Sequence, residues 1–207
     1  STLFPYTTLF RSRHRLAMGI ELAVDRENFH LVDWPSIDKY FNKTFPYVEA
    51  CAQPRDWHYS DRSVFLGDSQ NKRVKVDLFR TERFITEGET IDGIRFASLE
   101  DLAAMKLNAV NYGGRMRDFW DLHELWGTNF SAEGLVFAHR KHYDPGADCN
   151  RLIQQLTNFE LADRDLPPVC LRGKHWELIK SEFMDVFTTF SGRVVLLFNG
   201  PIHNFFL

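Results

Sequence analysis

The chain has 207 residues, 44% of them hydrophobic and 26% charged, with a formal net charge of −3. That length makes one large domain or two small ones, and it buries roughly 70% of its unfolded surface without a disulfide or metal staple. Composition and charge exclude disordered, collagen-like and coiled-coil chains and a generic electrostatic binder of nucleic acid. No stretch approaches the roughly 18 apolar residues of a membrane span. Cys51, Cys149 and Cys170 are odd in number, far apart and in no CxxC pair, which fits reduced thiols in a cytoplasmic protein.

In chain order, residues 1–12 read STLFPYTTLFRS, with no acidic residue and none of the parts of a secretory signal. The stretch from Thr2 to Ser12 looks like the conceptual translation of a short-read sequencing adapter. Residues 1–12 are therefore expected to be a non-native leader, with the natural start further upstream and the chain truncated; the alternative is an aromatic-rich first strand. Residues 13–96 carry strand-like pieces. A two-residue alternation runs through 16–24 around Met18, Ile20 and Leu22, and another through 74–79. Gly67-Asp68-Ser69 and Asn71 mark a turn that makes 63–66 a hairpin partner for the latter. Between them, 36–45 reads as a helix capped by Ser36, with Ile37, Tyr40, Phe41 and Phe45 on one face and Pro46 as its stop.

Residues 97–190 read as helical. Ser98 and Asp101 resemble a capping box, and helices are expected over 99–110, 117–126, 132–143, 149–160 and 175–190. The breaks between them are Asn111-Tyr112-Gly113-Gly114, Gly127, Asp144-Pro145-Gly146 and Pro167-Pro168. The tail, 191–207, contains an apolar run at 194–198 that reads either as a last buried strand or as read-through past a stop. The expected class is α+β, a sheet-containing part followed by a helical part.

Lys106 is the most informative residue. At 100° per residue, Leu99, Leu102, Ala103, Ala109 and Val110 all lie within about 60° of it. An ammonium at the centre of an apolar face either pairs with a buried acid or opens onto a cleft that holds an anion, because an unpaired buried charge costs several kcal/mol; the bland alternative is a lysine that snorkels to the helix edge. In GGRMRDFWDLHEL, Asp118 and Asp121 share a helix face with Leu122 and Leu125. Asp118 also sits in the first turn, where the dipole alone would favour it. One economical arrangement has an aspartate orienting Lys106 or an arginine toward a phosphate. Glu21 and Asp77 each interrupt an apolar strand pattern, either as hard-oxygen metal ligands or as solvent-facing acids. His139 and His142 lack a third ligand nearby and read as surface residues. Arg164, Arg172 and Lys174 read as a solvated loop. GxxxxGK[ST], HExxH, GxSxG and zinc spacings do not occur.

Taken together, ASLEDLAAMKLNAVNYGGRMRDFWDLHEL resembles the signature of the AbiEii/AbiGii toxin family of nucleotidyltransferases. HRLAMGIEL, from His14 to Leu22, resembles that family's HRxSxDIDLF strand. VKVDLF, from Val74 to Phe79, resembles its third-carboxylate strand, and 156–180 resembles its C-terminal helical segment. The resemblance spans about 13–190. It implies a polymerase-β-like nucleotidyltransferase sheet with a helical C-terminal part, and a toxin role in type IV toxin–antitoxin and phage-abortive systems.

It further implies two-metal magnesium chemistry on a nucleoside triphosphate, with Glu21 and Asp77 as metal ligands. Lys106 would contact the triphosphate, and Asp118 and Asp121 would support Lys106 or the attacking hydroxyl. Arg15, Arg115 and Arg117 are the further nucleotide-binding candidates. The acceptor would be tRNA or another RNA, and an antitoxin encoded nearby is expected without a required stable complex. The chain departs from the family where the first metal aspartate falls on Gly19 and the preceding serine on Ala17. The family's Gly-rich GGTAL segment would lie upstream of Arg13, where the leader stands. These departures put catalysis by this chain in question and keep open a non-catalytic binder of nucleotide or partner. A small-molecule, antibiotic-modifying transferase is a third reading, since one fold serves both acceptors.

Overall fold

The computed structural model describes residues 6–7, 19–51, 62–82, 84 and 86–197, and the side chains among them from 19 to 189. These residues form two compact units, one of Tyr6–Thr7 with 19–98 and one from Leu99 onward.

The first unit is a seven-stranded mixed sheet. Its strands are β1 (Tyr6–Thr7), β2 (Gly19–Asp25), β3 (Tyr47–Ala50), β4 (Arg62–Ser69), β5 (Lys72–Thr81), β6 (Glu89–Ile91) and β7 (Ile94–Phe96), in the order β3-β4-β5-β2-β1-β7-β6. The β2–β5 and β1–β7 pairs are parallel and the rest antiparallel. The expected hairpin is present as β4–β5, with Ser63 opposite Asp77. Tyr6–Thr7, within the segment set aside as a leader, fills the sheet position between β2 and β7.

Alternation gives this sheet one apolar and one polar face. Val64, Leu66, Val76 and Leu78 are buried on the apolar face, with Ile20, Leu22 and Val48 against them. Helix α1 (Trp34–Thr44) covers that face through Trp34 and Phe41, and Phe45 follows. Its cap is Asp33 rather than Ser36. The Asp33 carboxylate accepts from the Ser36 backbone N–H at 3.1 Å and from its hydroxyl at 2.6 Å. Pro35, with its fixed φ and missing donor, fits the first turn, so the helix starts earlier than the Ser36 signal suggested. Tyr40, expected on the apolar face, is 62% exposed.

The second unit is helical: α2 (Leu99–Asn111), α3 (Met116–Thr128), α4 (Ala132–His142), α5 (Cys149–Leu156) and α6 (Trp176–Leu197). Gly113, at φ +92°, makes the turn between α2 and α3 that only glycine adopts readily. Gly127, expected to end α3, lies within it; Asn129 is the C-cap and its N–H reaches the Leu125 carbonyl. α5 stops at Leu156, four residues short of the expected end. α6 runs to Leu197, so Val194 to Leu197 is helical and not a final strand. The core of this unit is an aromatic cluster in which Phe119 meets Phe159, Trp176 and Phe183, and Trp126 meets Phe183 and Phe187. Among the described residues no helix is long and apolar enough to cross a membrane, and all three cysteines are free thiols.

Candidate active site

Lys106 stands on the buried side of α2, with Leu102, Ala103 and Val110 at 2%, 0% and 1% exposure on the same helix. Its amine lies 3.1 Å from an Asp118 carboxylate oxygen and 3.1 Å from one of Asp121. The buried-acid branch of the expectation is therefore realised, and the snorkelling alternative is not. Both partners come from the first two turns of α3, three residues apart, so the helical spacing itself sets them side by side. Asp118 does two things. One oxygen accepts from Lys106, and the other accepts from the Arg115 backbone N–H at 3.1 Å, satisfying a donor at the head of α3. The side chains of Lys106 and Asp118 retain 9% exposure and that of Asp121 none, so the accessible edge of the cluster is the Lys106–Asp118 side.

The arginines differ. The Arg115 Nε donates to both oxygens of Asp165 at 2.7 Å, and the Met116 N–H donates to the same carboxylate at 2.9 Å. Hydrogen bonding to Asp165 holds the Arg115 guanidinium above its ordinary pKa. Its fork thus ties the 165 segment to the head of α3. Arg117 is half-buried on α3, and Arg15 lies outside the described residues.

In the sheet unit, Glu21 and Asp77 are register partners on the parallel β2–β5 pair, which puts both on the polar face. Asp77 is 7% exposed. It accepts from the Ser63 hydroxyl across the β4–β5 pair, and the Lys75 amine lies 2.7 Å from the same oxygen. Gly19, the residue at the family's first metal position, is opposite Lys75. A Cβ at position 19 would lie 2.5 Å from the Lys75 carbonyl oxygen. An aspartate there requires the β2–β5 backbones to move apart. Two in-register carboxylates fit one magnesium ion, whose remaining ligands are ordinarily water and phosphate. They do not make the three-carboxylate cage of a two-ion site, and among the described residues no group of three or more His, Cys, Asp or Glu gathers as a metal cage.

Sequence reasoning missed a second charged cluster. Glu124, 1% exposed at its side chain, receives the Arg172 guanidinium and the Lys174 amine, the latter at 2.9 Å. Lys174 also meets His123 Nδ1 at 2.9 Å, and His123 Nε2 meets Glu182 at 2.5 Å. Burial pushes His123 below its ordinary pKa despite Glu182. Two of the three cations read as a solvated loop thus clamp the 170–174 segment to α3; only Arg164, paired with Glu160 at the surface, fits that reading. The histidines expected at the surface are also buried. His139 is 2% and His142 8% exposed, and His142 Nδ1 meets Asp101 at 2.9 Å. The signal available in the sequence was the i, i+3 spacing of His139 and His142 with Leu135 and Val136 on the same helix face.

The family described as "Nucleotidyl transferase AbiEii toxin, Type IV TA system" matches residues 30–189. A solved structure, "Crystal structure of putative nucleotidyltransferase from H. pylori", superposes with a TM-score of 0.52 at 15% identity, covering 93% of this chain and 88% of that one. At that identity the likeness is one of fold. No curated protein matches.

Proposed function

The chain belongs to the AbiEii family of nucleotidyltransferase toxins of type IV toxin–antitoxin systems, and on that premise we propose that it transfers a nucleotide from a nucleoside triphosphate to an RNA hydroxyl, with tRNA as the acceptor. The observation that carries this reading is the buried ammonium of Lys106 between Asp118 and Asp121. Two carboxylates at 3.1 Å fix the direction of the amine, which prepares it to meet a polyphosphate without reorganisation.

In the transfer the acceptor oxygen attacks the α-phosphorus, the α–β phosphoanhydride bond breaks and pyrophosphate leaves, while the hydroxyl proton passes to solvent. Lys106 neutralises phosphate charge, Asp118 and Asp121 position it, and Arg117 adds positive charge at the head of α3. Arg115 contributes there while its fork holds Asp165. In the sheet unit Glu21 and Asp77 would hold magnesium, which supplies Lewis-acid charge neutralisation when bound. Nucleotide and antitoxin are the partners that the family implies.

Incubating the full chain with each of the four α-labelled triphosphates and total tRNA tests the reading. Label is expected in tRNA with at least one nucleotide; no incorporation from any of the four refutes RNA transfer. A second reading, nucleotide binding without transfer, is favoured by one observation, the glycine at position 19 opposite Lys75. It predicts triphosphate binding with no label in any acceptor. Label in an aminoglycoside and not in tRNA would assign the small-molecule reading.

A further inference from the structure

The polar face of the sheet carries a cation of its own. Lys75 and Asp77 lie two apart on β5, so both side chains project to the same face, and the amine is 2.7 Å from a carboxylate oxygen of Asp77. Exposure of the two side chains is 23% and 11%, which makes this a partly buried pair rather than a screened surface one. The Ser63 hydroxyl donates to that same oxygen. Gly19 lies across the β2–β5 pair from Lys75, and a side chain there is opposed by the Lys75 carbonyl. An ammonium and a divalent cation are alternative partners for one carboxylate oxygen.

From this juxtaposition we infer that Lys75 competes with the divalent cation for Asp77, and so sets how tightly the sheet face takes the metal. This rests on the proposed role of Asp77 as a metal ligand. Lys75 is a positioning residue here. It acts through Asp77, holding the carboxylate neutralised until a metal displaces the amine.

The test is equilibrium binding of Mn²⁺ alone to the full chain, followed by the loss of the free-ion electron paramagnetic resonance signal. Lys75→Met is expected to tighten binding by roughly tenfold, the equivalent of releasing one partly buried ion pair. Lys75→Arg, which keeps the charge, is expected to leave binding near wild type. Asp77→Asn is expected to abolish the tightening in the Lys75→Met background. Near-ultraviolet circular dichroism of each variant establishes that the fold is kept. Binding that depends on Asp77 but is unchanged by Lys75→Met overturns the competition and leaves Asp77 as a ligand. Binding that Asp77→Asn leaves intact in both backgrounds, or no binding in any variant, overturns the competition together with the metal reading of this face.

Discussion

Removing the amine of Lys106 would take the ammonium away from two carboxylates, one of which has no exposure at all. Lys106→Met is therefore expected to destabilise the fold by about 3–5 kcal/mol, the usual cost of leaving a buried charge without its partner. Lys106→Met with Asp121→Asn removes one charge of each sign and is expected to recover more than half of that loss, so the two changes should be strongly non-additive. Urea unfolding of the single and double variants measures this, and additive losses would contradict the pairing. Lys106, Asp118 and Asp121 were legible in the sequence because a charge on an apolar helical stripe demands a partner, and the i, i+3 acids supplied one. Lys75 was not legible. It reads as the solvent-side residue of an alternating strand, and only the β2–β5 register, with glycine opposite, gives it a role. Nor does the sequence show that an aspartate at position 19 is opposed by the Lys75 carbonyl, 2.5 Å from where its Cβ would lie.

At the scale of elements, α4 packs against α2 through two histidines whose hydrogen bonding is incomplete. His139 Nε2 meets Asn108 at 3.2 Å and His142 Nδ1 meets Asp101, while His139 Nδ1 and His142 Nε2 are buried without a partner among the described residues. Burial first, then the neighbouring His142, push His139 from an ordinary 6.5 down to about 4, with Asp144 opposing the shift. Above pH 6.5 neither the folded nor the unfolded chain protonates this ring. Below it the unfolded chain takes the proton first, so stability falls as pH drops from about 6.5 to about 4 and levels off beneath. The loss attributable to His139 is on the order of 3 kcal/mol. His139→Gln is expected to flatten that part of the curve of unfolding free energy against pH; an unchanged slope would mean that other groups carry it.

Elements with a strong period were readable, as α2, α4 and the β4–β5 hairpin show. Their ends were less so. The α1 cap moved to Asp33 because Pro35 suits a first turn, and α3 ran through Gly127 because a single glycine costs only about 1 kcal/mol in a helix. The clamp of Arg172 and Lys174 on Glu124 joins residues about 50 apart, a separation no local pattern reports.

For the whole molecule, the change from strand-like to helical pattern near Ser98 coincides with the boundary between two compact units. Neither unit's chemistry follows from composition. A net charge of −3 speaks against a generic electrostatic binder of nucleic acid. The metal reading of the sheet face came from the family resemblance; the donor set supports one ion there and gives position 19 no part in it. The central question is whether Lys106 serves a triphosphate or only its two aspartates. Calorimetric binding of an α,β-methylene triphosphate to the full chain decides this, using wild type against the folded Lys106→Met/Asp121→Asn variant. A loss of at least tenfold in affinity in the double variant is the expected result; equal affinity in a variant that keeps its fold would make Lys106 a purely structural charge and contradict the account.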